Sequence, residues 1–103
     1  MALPGKQTEN CEYVKQEVSL GALLVDVRTP TEHDRDGRLT GSINVPMCQI
    51  ETRAGELMHA RKVLVYCRSG ARSGAVAAYL QGRGLPAENI GGINQYPGML
   101  ATD

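Results

Sequence analysis

An α/β fold with a mostly parallel central sheet and helices on both faces is the architecture this sequence predicts. Three observations carry the prediction. Ala22-Leu23-Leu24-Val25-Asp26-Val27 and Lys62-Val63-Leu64-Val65-Tyr66 are near-continuous apolar runs. They lack the in–out alternation of a half-solvated strand, so they read as strands covered on both sides, as in a parallel sheet. Segments with helical spacing stand between and around them. The chain has 103 residues, the size of one domain and enough to bury a core. No repeat, linker or low-complexity stretch divides it, so residues 1–103 read as a single domain.

From the N-terminal side, Thr8 to Ser19 reads as a modest helix, with Cys11, Val14, Lys15 and Val18 at helical spacing. Gly21 follows as a stop signal. The first apolar strand ends near Val27. Thr29-Pro30-Thr31-Glu32 then spells a helix start: a capping threonine, proline at the first helical position, and Glu three residues after the cap. That helix is predicted to run to about Asp36 and stop at Gly37. Gly41-Ser42-Ile43-Asn44-Val45-Pro46 reads as a turn and a short strand. Glu51 to Ala60 holds one or two helical turns, interrupted at Gly55. After the second apolar strand, Ser73 to Arg83 is the strongest helix, with Gly84 as its stop. Ala87 to Ile90 reads as a last strand closed by Gly91-Gly92.

Composition removes several function classes. Hydrophobic residues are 42% and charged residues 21% of the chain, the balance of a soluble globular domain. Lys plus Arg and Asp plus Glu are both 11, for a formal net charge of zero, so a nucleic-acid partner is not expected. With no Trp, no Phe and four Tyr, the core must come from Leu, Val, Ile, Met and Ala. An odd count of three cysteines, Cys11, Cys48 and Cys67, leaves at least one thiol free. No Cys/His spacing suggests a metal. A reducing, cytoplasmic setting is the reading that follows. No apolar leader segment and no membrane-length apolar run is visible.

The chemistry concentrates in Val63-Leu64-Val65-Tyr66-Cys67-Arg68-Ser69-Gly70-Ala71-Arg72-Ser73-Gly74. A buried strand ends at Cys67, a tight loop follows, and a small-residue helix starts at once. Ligands of open α/β sheets bind at this end of the strands. A loop curling into a helix N-terminus aims backbone N–H groups at one point, and the helix dipole adds partial positive charge. Arg68 and Arg72 add two full charges. Together they predict a Cys67 thiol more acidic than a free one. The same cradle, Arg68, Ser69, Gly70, Ala71, Arg72 and Ser73, is the candidate site for an anionic substrate or leaving group. Gly70 and Gly74 allow positive φ or close approach.

Cys67-Arg68-Ser69-Gly70-Ala71-Arg72-Ser73 resembles the active-site loop of the rhodanese family. Three further segments match that family in order: Asp26-Val27-Arg28-Thr29-Pro30, Gly41-Ser42-Ile43-Asn44-Val45-Pro46, and Gly91-Gly92-Ile93. The matches span about residues 22 to 98. Tyr96-Pro97-Gly98 stands where members commonly carry an aromatic residue, often Trp, followed by Gly. Gly37-Arg38-Leu39 replaces a common Gly-His-Ile. The resemblance implies a three-layer sandwich and sulfur transfer without a cofactor. A small anionic donor such as thiosulfate gives its outer sulfur to Cys67, and the persulfide passes it to cyanide, a thiol or a protein acceptor. Cys-based phosphatases and arsenate reductases share a related fold, but their signature is Cys-x5-Arg. Cys67 to Arg72 is Cys-x4-Arg, a shorter loop suited to a terminal sulfur.

The remaining candidates carry plainer readings. Asp26 is read as a structural acid that ties loops by accepting backbone N–H bonds, and Arg28 as its neighbour paired with Glu32. Arg72 has a second reading, as the partner of a carboxylate that holds the loop. Cys11 and Cys48 are read as inert, with a resolving-thiol role for Cys48 as the minor alternative. His33 and His59 are read as solvated. Met47, Met58 and Met99 read as core fillers or rim contacts.

Overall fold

The computed structural model describes residues 4–101, with side chains described from Asn10 onward. The two apolar runs form the central strands, β1 (Leu23–Asp26) and β3 (Val63–Cys67). Short β2 (Ile43–Asn44) lies outside β1 and β4 (Ala87–Gly92) outside β3, giving the order β2-β1-β3-β4. All three pairings are parallel. Among the described residues, the one antiparallel contact is an isolated bridge between Leu39 and Leu100. Every residue of β3 is buried, as a strand covered on both faces requires.

Side-chain alternation divides the core into two layers. Val25, Val27, Val63, Val65 and Cys67 face one side, packed with Val76, Ala77 and Leu80 of α4 (Ala71–Gly82) and with Ile50 of α3 (Ile50–Arg53). Leu24, Leu64 and Tyr66 face the other. There they meet Cys11 and Val14 of α1 (Pro4–Ser19), together with Tyr96 and Met99 near the C-terminal end. Helices thus cover both faces, as the sequence predicts.

Element ends shift in instructive ways. The first helix starts at Pro4 rather than Thr8. The helical turns expected over Glu51 to Ala60 start earlier, as a 3₁₀ turn at Met47–Gln49, then α3, then a second 3₁₀ turn at Ala54–Glu56 that runs through Gly55. Helix α4 begins at Ala71, two residues early, because Gly70 adopts φ +99° and supplies the turn. Strand β4 continues through Gly91 and Gly92, with a register break: Val65 opposes Asn89, but Tyr66 opposes Gly91. Ile90 is the extra residue of this bulge, and it turns into the α1 side of the core.

Asp26 and Arg28 lie on the Tyr66 face, away from Cys67. The expected Arg28–Glu32 pair does not form. Residues i and i+2 of an extended chain share a face, so Arg28 meets Asp26, its Nη2 2.7 Å from Oδ2. The same guanidinium donates to the Gly37 carbonyl and stands over the Tyr66 ring. Asp26 accepts the Arg28 backbone N–H, the tie predicted for it. His33 is not solvated as expected. Helix α2 (Pro30–Arg35) swings it back so that Nδ1 lies 2.9 Å from Asp26 Oδ2. His59 is exposed. Met99 is buried, whereas Met47 and Met58 sit at the surface.

The Tyr66 hydroxyl is a second tie on this face. It accepts the buried Leu39 N–H at 3.0 Å and bonds the Ser42 hydroxyl at 2.9 Å. Removing it by Tyr66→Phe strands a buried donor. The expected loss is about 1–3 kcal/mol in urea unfolding. An unchanged unfolding midpoint would show that the Leu39–Ser42 turn does not depend on this hydroxyl.

Candidate active site

Cys67 is the last residue of β3, and the chain must turn at once to enter α4. Gly70 makes that turn, and Gly92 gives it room. A Cβ on Gly92 would stand 2.5 Å from the Arg68 carbonyl oxygen, and one on Gly70 would press on Gly91 at 3.3 Å. The loop therefore rests directly on the Gly91-Gly92 backbone at the end of β4. This contact is what the two glycines accomplish.

The loop wraps the sulfur. Cys67 Sγ lies 3.0 Å from the Gly70 backbone nitrogen, 3.4 Å from that of Ser73 and 3.3 Å from the Ser73 hydroxyl. Ser73 sits in the first turn of α4, where backbone N–H groups have no intrahelical partner. Both Cys67 and Ser73 have no exposed surface. Burial works against ionisation of the thiol and is the largest single influence. The Ser73 hydroxyl and the backbone N–H groups of Ser73, Gly70 and Ser69 together outweigh it, holding the thiol below its ordinary value. The acidity expected from sequence is present, but backbone and hydroxyl donors carry it more than arginine charge does.

The two arginines separate. Arg72 is clamped by Glu32, with Nη1–Oε1 at 2.8 Å and Nη2–Oε2 at 3.0 Å, the fork geometry that favours Arg over Lys. This is the carboxylate-pairing alternative anticipated for Arg72. Arg72 ionisation is favoured first by Glu32 and secondarily by charge on Cys67. Arg68 is exposed and makes no ion pair or side-chain hydrogen bond among the described residues. Ser69 and Ala71 are also exposed, and Gly70 is half-buried. The six loop residues thus lie together, with Ser73 inward and Arg68, Ser69 and Ala71 outward.

Glu32 joins two motifs that the sequence keeps apart. It completes the predicted capping box, its Oε1 accepting the Thr29 N–H while Thr29 Oγ1 accepts its own. Both of its oxygens also reach Arg72. A cavity of about 160 Å³ next to this clamp is lined by Val27, Thr29, Pro46, Met47, Cys48 and Arg72. Cys48 is exposed there, Cys11 is buried, and all three thiols are free. No group of His, Cys, Asp and Glu suited to a metal ion occurs among the described residues. Among them, no helix is long and apolar enough to cross a membrane.

One participant escaped sequence reasoning. Asn89 Oδ1 accepts from the Ser73 hydroxyl at 2.7 Å and from the Gly91 N–H, while Nδ2 donates to the Gly70 carbonyl. A polar residue on a short strand, just before two glycines, was the available signal.

A model of the rhodanese-like domain matches residues 10–96. The chain belongs to the rhodanese-like family. A sulfurtransferase of Allochromatium vinosum is 45% identical over 73 residues, covering 69% of this chain and 67% of that protein. A putative sulfur carrier protein of Bacillus subtilis, YrkF, is 31% identical over 90 residues. The match covers 85% of this chain but 46% of YrkF, so the chain spans about half of that relative. Among solved structures, a rhodanese with anions from E. coli superposes with a TM-score of 0.67 at 28% identity, over 74% of this chain and 92% of that one. At the level of the family these matches support sulfurtransferase activity.

The Arg72–Glu32 clamp has a pH signature. Arg72 first, then the Thr29 backbone, hold the Glu32 carboxyl down from 4.5 to about 2. A depressed carboxylate contributes in full above its unfolded pKa and loses that contribution as pH falls toward its folded one. Glu32→Gln is expected to cost about 1 kcal/mol near neutrality, discounted for partial solvent screening. The gap from the parent in urea unfolding should narrow steadily below about pH 4.5. A gap that stays constant down to pH 3 would sink this assignment.

Proposed function

We propose that this rhodanese-like domain moves a sulfane sulfur from thiosulfate, or a persulfide donor, to cyanide or a thiol acceptor through a persulfide on Cys67. The observation that carries the reading is the convergence of Gly70 N–H, Ser73 N–H and Ser73 O–H on one buried sulfur. Such a sulfur is a thiolate nucleophile that needs no separate base.

In the first step the Cys67 thiolate attacks the outer sulfur of thiosulfate. The Sγ–S bond forms, and the sulfur–sulfonate bond breaks with its electron pair leaving as sulfite. In the second step cyanide or an acceptor thiolate attacks that outer sulfur. Thiocyanate or a new persulfide leaves, and the electron pair returns to Cys67. Total charge is conserved in both steps with cyanide as acceptor, and no cofactor enters. Backbone N–H groups of the same loop are the donors assigned to the charge on the outer sulfur. Arg68 is the cation assigned to the departing sulfonate, because Arg72 is already engaged by Glu32. The fully buried Sγ favours donors that present one slender atom.

Similarity to a putative sulfur carrier favours one second reading, a module that loads sulfur and hands it to a single protein partner. Both readings require the persulfide, and turnover separates them. With thiosulfate alone, intact mass under non-reducing conditions should rise by one sulfur atom. The gain should vanish in Cys67→Ser and persist in Cys48→Ser. With thiosulfate in excess, adding cyanide should then give thiocyanate over many cycles for a transferase, and little or none for a carrier whose persulfide only its partner discharges. A parent protein that gains no sulfur, or a gain that survives Cys67→Ser, overturns the proposal. Hydrolysis of an aryl phosphate in its place would point to oxyanion chemistry.

A further inference from the structure

Ser73 carries one hydroxyl proton, and two acceptors face it. Asn89 Oδ1 is at 2.7 Å and Cys67 Sγ at 3.3 Å. The amide of Asn89 cannot be turned end for end to relieve this. Its Nδ2 donates to the Gly70 carbonyl at 3.0 Å, and its Oδ1 accepts the Gly91 N–H at 2.9 Å, so its acceptor is fixed toward Ser73. Its register in the strand is what aims it there. Asn89 stands opposite Val65, on the face of the sheet that meets the start of α4. Gly74 lets it come close, since a Cβ there would lie 3.2 Å from Nδ2.

The geometry points to Asn89 as a positioning residue for the nucleophile, one that braces the Gly70 turn and competes with the Cys67 sulfur for the single proton of Ser73. With a neutral thiol, the Ser73 proton rests on Asn89, and the S–H can donate to Ser73 Oγ. Ionisation removes that S–H and makes the sulfur the stronger acceptor, so the hydroxyl turns to it. When a second sulfur is added, negative charge moves one atom outward, and the proton returns to Asn89. The hydroxyl is thereby a donor that follows the charge, and Asn89 is its resting place. No bond other than hydrogen bonds changes.

The inference rests on Cys67 working as a thiolate, but its test needs no sulfur donor, so the two stand or fall separately. The ionisable groups on the sulfur's side of the sheet are Arg68, Arg72 with its partner Glu32, and Cys48 beside Arg72, while Asp26 at the end of β1 faces the other side. They are present in every variant, so their influence cancels in a mutant cycle. The readout is the midpoint of Cys67 alkylation by iodoacetamide against pH, followed on the Cys67 peptide by mass spectrometry. Ser73→Ala is compared in three backgrounds: parent, Asn89→Leu, which removes the competing acceptor, and Asn89→Asp, which strengthens it.

In the parent, Ser73→Ala should raise the midpoint by about half a unit, because the proton is shared. In the Asn89→Leu background the rise should be about one unit or more. In Asn89→Asp it should be smaller than in the parent. Equal rises in all backgrounds, or the reverse order, would overturn the proposal. Asn89 is exposed, so these substitutions disturb little packing. If Asn89→Leu fails to fold, the parent and Asn89→Asp comparison decides.

Discussion

Charge on the Cys67 sulfur has to form on a side chain with no exposed surface. An unpaired buried anion costs far more than any single contact in a domain can return, so donors must be fixed around the sulfur before the charge forms. Here they come from the Ser73 hydroxyl and from the backbone. The Gly70 and Ser73 N–H groups converge on Sγ because β3 ends, turns at Gly70 and enters α4 within a few residues. Most other features of the site hold that turn in place. Gly92 lets the loop rest on β4, Glu32 clamps Arg72 from the far side, and Asn89 braces the Gly70 carbonyl. Backbone donors suit sulfur chemistry because they need no reorganisation when charge appears.

The two faces of the sheet divide the labour. Cys67 points toward α4, while Tyr66, Asp26 and Arg28 point toward α1 and the C-terminal turns. Residues adjacent in sequence thus serve different ends through the period of two in a strand. On the second face, the buried Asp26–Arg28 pair, His33 and the Tyr66 hydroxyl tie β1, α2 and the 37–42 segment together. Breaking one partner of such a pair leaves a buried charge. The cavity beside Arg72 is lined by Val27, the residue between Asp26 and Arg28, and by none of those polar groups.

Much of this was legible in the sequence, and the reasons differ by element. Both central strands announce themselves because strands buried on both faces must be continuously apolar. The cap at Thr29 could be read because its geometry needs particular residues at a fixed spacing. Cys67 stood out through its setting at a strand end before a glycine loop. Pairings between side chains were harder. Arg28 was assigned to Glu32 by helical proximity, but strand alternation gives it to Asp26, and Glu32 goes to a residue 40 positions away. His33 looked solvated because no motif surrounds it, yet α2 folds it onto Asp26. The bulge at Ile90 has no sequence signature of its own, and Asn89, one polar residue on a short strand, has no motif around it. The acidity of the thiol was anticipated with its direction correct, but with too much weight on arginine charge and too little on Ser73.

That last point is where the account is most exposed. A pH titration followed by amide NMR resolves which groups respond when Cys67 ionises. If backbone donors hold the thiolate, the Gly70 and Ser73 amide protons move downfield together, with one midpoint below the ordinary thiol value near 8.5. Gly70 and Ser73 amides that stay still through the Cys67 titration would contradict it.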